Sequence, residues 1–179
     1  MKKGTIVKEK SSKRTGYRIL DDEKNELAFG AGNPLKYGFE FIIYESDSIK
    51  NEIFKITQED VLEGKYKFKL TEGKDGNLIG HIKRKKRSSF SKDIWTINNR
   101  DGEEIAKLEE DSKYKAIIRD YIIGTLPRIY HIYLDNNNDF GKINQKFSIN
   151  GSKFNFELHK KSVLDSRFIL AIIFCIDNL

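Results

Sequence analysis

The sequence predicts a mainly-β domain, an antiparallel barrel or sandwich. Apolar and polar residues alternate with a period of two in short stretches, which is typical of strands with one buried face. Asp-Gly and Asn-Gly pairs, which favour tight hairpins, separate these stretches, and the strand–helix–strand alternation of parallel sheets does not appear. The 179 residues, 38% of them apolar and 34% charged, have the size and balance of one globular domain.

The strands are predicted from this alternation. Tyr66, Phe68 and Leu70 alternate with lysines, and Phe154–Leu158 alternates in the same way with polar residues. Weaker patterns predict further strands at Tyr17–Leu20, Phe39–Tyr44, Ile53–Thr57, Trp95–Ile97, Ile117–Ile123 and Arg128–Leu134. Turns are expected at Asp75-Gly76, Asp101-Gly102, Asn136–Asn138 and Asn150-Gly151. Roughly ten short strands separated by turns favour a barrel or a sandwich.

A weak internal repeat places a small residue inside three of the segments. Each copy reads apolar–small–polar–apolar: Ile79–Ile82, Ile105–Leu108 and Phe140–Ile143. The small residue allows a strand to curve, or another part of the chain to approach its backbone closely.

The C-terminal segment differs from the rest. Asp165 is a suitable N-cap, and Phe168–Ile176 follows without a polar residue, so we expect a helix at about 165–178. Periodicity alone does not separate this helix from a buried strand. A helix that is apolar all round must be enclosed on every side. Nine residues of helix are about 14 Å long, too short for a bilayer core of about 30 Å.

The N-terminus and the cysteine content bound the compartment. Residues 1–16 are expected to be a flexible basic arm or a first strand, and residues 17–179 the β-domain, with no second domain. The N-terminal residues lack the apolar region of a signal peptide. Cys175, the only cysteine, has no partner for an intramolecular disulfide, which favours a reducing, cytoplasmic location.

Positive charge is concentrated in two windows. The net charge is +6, but Met1–Arg14 carries six basic residues and one acid, a net +5, and His81–Lys92 carries six basic residues and no acid, a net +6. The rest of the chain therefore nets −5. Clustered cations are typical of anion-binding surfaces. The candidate anion-binding residues are Lys83, Arg84, Lys85, Lys86, Arg87 and Lys92; a solvated strand end is the alternative.

Three stretches together indicate a family. Asn138–Phe147, which contains Phe-Gly-Lys-Ile, is similar to a scramblase strand; Asp93–Gly102 is similar to a hairpin with a Trp-bearing strand and Asp-Gly; Asp165–Asp177 is similar to a terminal helix. With these in order, the chain resembles the tubby C-terminal-like superfamily, especially its phospholipid scramblase and LURP-one-related branches. The resemblance implies a closed antiparallel barrel of twelve strands, with the apolar C-terminal α-helix threaded through its centre.

The same resemblance bears on function. It implies that the basic run binds anionic membrane lipid, with phosphoinositide-type headgroups, in preference to nucleic acid. The scramblase branch carries acids before the helix and a cysteine cluster, whereas here Lys160–Leu164 has no acid and Cys175 is the only thiol. Calcium-driven lipid scrambling is therefore not expected.

Metal, cofactor and catalytic sites are not predicted. Asp135–Asp139 superficially suggests a calcium loop, but the glycine falls at position seven of the loop instead of six, and a lysine takes the place of the final glutamate. The histidines His81, His131 and His159 lack the spacing of metal ligands. No nucleophile elbow, P-loop or dinucleotide fingerprint occurs.

We therefore expect a non-enzymatic binding module that acts in the cytoplasm at the membrane periphery. Its basic run would contact anionic lipid, helped by the basic N-terminal arm. Nucleic-acid binding by the same run is the second hypothesis, and a structural or regulatory interaction protein is the third. Ligand carriage inside the barrel is disfavoured, because the helix is expected to fill the lumen.

Overall fold

Twelve antiparallel strands form a closed barrel around one helix. The computed structural model describes residues 3–10, 15–33, 39–62, 65–85, 93–111, 127–134, 138–148, 151–159 and 164–179. The strands are β1 Lys3–Lys10, β2 Thr15–Leu20, β3 Glu26–Asn33, β4 Glu40–Tyr44, β5 Glu52–Leu62, β6 Lys65–Glu72, β7 Leu78–Lys85, β8 Ile94–Asn99, β9 Glu104–Glu110, β10 Ile129–Leu134, β11 Asn138–Ser148 and β12 Gly151–Leu158; the helix, α1, is Ser166–Asn178. The predicted twelve-stranded barrel is confirmed.

Closure comes from the pairing of β1 with β12. Every other strand pairs with its neighbours in sequence, and the register at the seam sets Lys3 opposite Glu157 and Ile6 opposite Phe154. Because the sheet returns to its own first strand, every described strand has a partner on both sides. A closed barrel thereby avoids the exposed edges that favour aggregation.

The alternation in the sequence sorts side chains between the core and the outer surface. On β6, Phe68 and Leu70 are fully buried in the core, while Lys67 and Lys69, which alternate with them, are only partly buried. The same alternation on the other strands gives one continuous apolar core that includes the whole apolar part of the helix.

Helix α1 lies inside the barrel. All nine residues from Phe168 to Ile176 are buried, so the helix has no solvated face along this stretch, as predicted. The ring of Phe174 stacks on Phe41 of β4 with 4.9 Å between centroids, and it meets Tyr17 of β2 edge-on. At Gly80 of β7, predicted from the repeat to permit a close approach, an added Cβ would lie 2.8 Å from Cζ of Phe168.

Polar contacts fix both ends of the helix. Asp165 is the N-cap, and its carboxylate accepts a hydrogen bond from the backbone N–H of Arg167 over 2.9 Å. At the other end the hydroxyl of Tyr17 donates to Oδ2 of Asp177 over 2.5 Å, and Nζ of Lys8 lies 2.7 Å from the same oxygen. The helix therefore runs from the barrel end that holds the β6–β7 turn to the opposite end, where β1, β7 and β9 finish.

The N-terminal strand and β3 were not predicted from the alternation of apolar and polar residues. Of the two alternatives for the N-terminus, the structure supports a first strand over residues 3–10, since β1 closes the barrel. Strand β3 was not predicted at all. The strand predicted at Ile117–Ile123 and the turn at residues 136–137 lie outside the described residues.

Candidate anion-binding face

Two neighbouring strands carry a group of outward-facing lysines. Strands β6 and β7 are antiparallel, and their inward residues, such as Phe68 and Ile82, are fully buried. The residues between them point outward because side chains alternate across a strand. We call Lys67 and Lys69 of β6 with Lys83 and Lys85 of β7 the lysine face.

The register places like charges opposite each other. Lys67 and Lys83 are direct cross-strand partners, and Lys69 is opposite His81. The row continues past Thr96 of β8 to Lys107 of β9. Directly opposed side chains have Cβ atoms about 5 Å apart, and like charges at that distance are destabilising. An anion bound between them would offset this repulsion.

Few acids neutralise this face. Oε2 of Glu59 lies 2.8 Å from Nζ of Lys67 and 3.4 Å from Nε2 of His81. Lys69, Lys83 and Lys85 form no ion pair with any other described residue. Burial lowers the pKa of His81, and the positive charge of Lys67 lowers it further, against the opposing effect of Glu59. The face therefore keeps a positive field.

The candidate residues predicted from the sequence do not all lie on the outer surface of the barrel. Lys83 is half-buried and faces outward, and Lys85 is exposed at the end of β7. Lys86, Arg87 and Lys92 lie outside the described residues. Arg84 is the exception, because its residue is only 7% exposed and its side chain is directed into the barrel. We therefore remove Arg84 from the set of surface anion-binding residues.

Arg84 has its own partners in the interior. Its Nη2 donates to Oδ2 of Asp93 over 2.7 Å, and both side chains are buried. The guanidinium carbon lies 5.7 Å from the ring centroid of Tyr66 and 5.5 Å from that of Trp95. Aromatic faces attract a guanidinium, so these rings and Asp93 compensate for its burial.

Sequence reasoning missed Lys67 and Lys69 as candidates; Lys107, at the end of the row, is instead paired with Glu109 over 2.5 Å. The alternation of β6 correctly indicated a solvated lysine face, but the predicted anion-binding residues all come from one continuous segment of the sequence. The signal that was available is the pair of segments joined by Asp75-Gly76, a hairpin turn in which Gly76 has φ of 65°. A hairpin brings two such segments side by side.

The fold also brings histidines and acids together on the outer surface. Oδ2 of Asp139 lies 3.8 Å from Nδ1 of His131, and its Oδ1 lies 4.0 Å from Nε2 of His159. Within the described ranges, no group of three or more His, Cys, Asp or Glu side chains has an arrangement that holds a metal ion.

The helix is not a membrane span. Among the described helical residues, no segment is both long enough and apolar enough to cross a bilayer. Helix α1, with 13 residues, is used for the barrel interior.

Comparison with known families identifies the chain. A family model described as LURP-one-related matches residues 4–177, which is nearly the whole chain, from the second residue of β1 to the penultimate residue of α1. No curated protein and no solved structure matches the sequence.

Proposed function

The chain belongs to the LURP-one-related family, within the tubby-like C-terminal superfamily, and we propose that it is a non-enzymatic binding module that recognises anionic membrane lipid through the lysine face. The module would act in the cytoplasm, at the periphery of a membrane. Phosphoinositide-type headgroups are the proposed ligands, since several phosphate charges on one headgroup match several lysines on neighbouring strands.

The direct opposition of Lys67 and Lys83 carries this proposal. Two ammonium groups side by side at the surface repel each other. Glu59 pairs with Lys67 but not with Lys83, so a bound anion would offset the repulsion that remains. Lysine is a strong phosphate binder that acts as a point charge. The lysines sit on paired strands, and sites on strands are positioned more precisely than sites on loops.

The expected affinity is moderate and electrostatic. A basic residue near an anionic membrane contributes about 1 kcal/mol, so the lysine face together with Lys86, Arg87 and Lys92 would give reversible recruitment. The N-terminal arm contributes less than the sequence suggested, because Lys3 pairs with Glu157 and Lys8 pairs with Asp177. Exposed charges are screened over about 8 Å at physiological salt, so binding should weaken steeply as salt rises.

The test is sedimentation with liposomes that contain phosphoinositide in a neutral lipid background. We expect the wild-type chain to co-sediment and the variant Lys67→Gln/Lys83→Gln to remain in the supernatant. The matched control is Lys146→Gln/Lys153→Gln, because these lysines are also direct cross-strand partners but lie on β11 and β12, almost across the barrel. Equal losses for both variants would indicate general charge attraction and contradict the proposed face.

Competition on the same sample separates the lipid proposal from its rival. Short duplex and single-stranded nucleic acids should displace the chain from the liposomes only weakly. If nucleic acid binds much more tightly than lipid, the protein is a nucleic-acid binder instead. If neither ligand binds at physiological salt, the lysines are a solvated surface and both ideas fail.

A further inference from the structure

The barrel interior contains a polar layer that the lysine face does not use. At the end where β7 and β9 finish, seven residues from adjacent strands contribute polar groups to the core. We call them the inner polar layer: Arg84, Asp93, Trp95, Glu110, Arg128, Tyr130 and Gln145.

Strand register brings these residues together. Arg84 is opposite Trp95, Glu110 is opposite Tyr130, and the backbone N–H of Gln145 donates to the carbonyl of Arg128 over 2.8 Å. The backbone N–H of Glu110 likewise donates to the carbonyl of Asp93. Burial raises the pKa of Tyr130, and the charges of Arg128, Asp93 and Glu110 also act on its hydroxyl. The layer is therefore one cluster that extends from β7 to β11.

Several of its polar atoms are buried without a partner. Nε of Arg84, Nε1 of Trp95, Nε of Arg128 and Oε1 of Gln145 have no hydrogen bond to any described residue. Trp95 is 1% exposed and Gln145 is 4% exposed. Buried polar groups in native proteins are almost always satisfied, so a cluster of unsatisfied ones points to a ligand.

The unpaired atoms define the chemistry of that ligand. Three of the four are N–H donors, and Gln145 can also present a donor by rotating its amide. The complementary group is thus an oxygen acceptor. Two arginines and two carboxylic acids balance in charge, so the layer accommodates one added negative charge more readily than the two of a phosphate. Arg84 and Arg128 have the planar geometry that suits a carboxylate.

The layer lies near the rim of the barrel. Arg84 is the penultimate residue of β7, Asp93 directly precedes β8 and Glu110 is the last residue of β9. A strand rises about 3.3 Å per residue, so these groups lie within one or two residues of the rim. The last turns of the helix reach the same end of the barrel, and the Arg84 charge acts on the thiol of the buried Cys175.

We propose that the inner polar layer is a binding site for the carboxylate group of a small molecule. The site is separate from the lysine face, since its residues point into the barrel and those of the face point outward. Carriage of a whole ligand in the lumen remains disfavoured, because the buried helix occupies the lumen.

The single tryptophan reports directly on this site. Trp95 is the only tryptophan among the 179 residues, so the tryptophan fluorescence of the protein comes entirely from the layer. The full chain is titrated with acetate, propionate and succinate, with chloride at matched ionic strength as the salt control. We expect a saturable change in emission with the carboxylates and none with chloride. The absence of a saturable change, as water alone in the layer would give, overturns the proposal.

Variants locate the response. Arg128→Gln should weaken the apparent affinity at least about tenfold, whereas Arg100→Gln, at an exposed turn, should leave it unchanged. Circular dichroism checks that each variant is folded. Should Arg128→Gln not fold, Trp95→Phe removes the indole N–H donor and keeps a smaller aromatic ring, and calorimetry should then show a loss of acetate binding in the folded variant. Unchanged binding in the folded variant overturns the assignment of the carboxylate to this layer.

Discussion

Gly30 of β3 lies against the ring of Phe174 of the central helix. A Cβ added at Gly30 would be 2.9 Å from Cζ of Phe174 and 3.2 Å from its Cε1, closer than carbon atoms normally approach. The wall of the barrel is therefore fitted to the helix at this position, and the two residues should depend on each other.

Replacement of Gly30 by alanine should destabilise the fold by about 1–3 kcal/mol, the usual cost of overpacking a core. Shortening the facing side chain in the same protein, Gly30→Ala/Phe174→Leu, should recover part of the loss. Urea denaturation of the two single variants and the double variant measures the coupling. Strictly additive free energies would show that the ring and the glycine are not in contact.

The position of Arg84 predicts that it supports stability instead of surface binding. Arg84→Gln leaves Asp93 buried without its partner and should cost about 3–5 kcal/mol. Lys83→Gln, one residue earlier but facing outward, should change stability by no more than about 0.5 kcal/mol. Chemical denaturation compares them directly. A small effect of Arg84→Gln would indicate that its side chain is solvated.

The raised pKa of Tyr17 predicts that the fold loses stability at alkaline pH. Burial, with the nearby charge of Asp177, raises the pKa of Tyr17 well above its ordinary value of 10.0. The unfolded chain therefore releases this proton near pH 10 while the folded chain keeps it. The contribution of Tyr17 to the free energy of unfolding is complete below pH 10. Above pH 10 it declines by up to about 1.4 kcal/mol per pH unit.

Urea midpoints between pH 8 and pH 11 test this linkage, with Tyr17→Phe as the matched control. The variant should lose stability less steeply than the wild type above pH 10, although it also lacks the hydrogen bond to Asp177. Parallel pH profiles for the two proteins would exclude Tyr17 as the source of the alkaline transition.

Removal of the helix should prevent folding. A chain shortened to end at Leu164 lacks nine buried residues of the core. Loss of each large side chain costs roughly 2–5 kcal/mol, and together they exceed a total stability of about 5–15 kcal/mol. Size-exclusion chromatography and thermal melting are the measurements. A soluble product with a cooperative melt would show that the barrel holds without its helix.

Chelation should leave the melting temperature unchanged. The carboxylate oxygens of Asp139 lie 3.8 Å from Nδ1 of His131 and 4.0 Å from Nε2 of His159. Among the described residues, these side chains do not form a group that could hold a metal ion. Melting curves with EDTA, with added calcium and with added zinc test this expectation. A rise of several degrees with either metal would identify a site on this surface.

The predictability of the fold depended on how strongly each strand alternates. Strand β6 was evident because bulky apolar residues alternate with lysines. Strand β3 was missed because Gly30, Ala31 and Gly32 resemble a loop, although a glycine at position 30 is what the space beside Phe174 of the helix requires. Strand β1 is largely polar, and only its pairing with β12 identifies it as part of the barrel.

The candidate sites were predictable only in part. The charge run indicated cations at β7, and strict alternation from Ile82 would have assigned Arg84 to the interior. Its partner Asp93 was not predictable, because their contact depends on how β7 pairs with β8. The inner polar layer likewise combines residues from five strands, and no local pattern marks it.

The seam between β1 and β12 constrains how the chain reaches its native state during synthesis. Thr5 and Asn155, which are hydrogen-bonded across the seam, are 150 positions apart in the sequence. At a translation rate of about 5–20 residues per second, β1 waits on the order of ten seconds for its partner. During that interval the unpaired edges and the apolar lining are exposed to water, and the helix that fills the lumen emerges later still. We therefore expect the nascent chain to be prone to aggregation until both β12 and the helix have been synthesised.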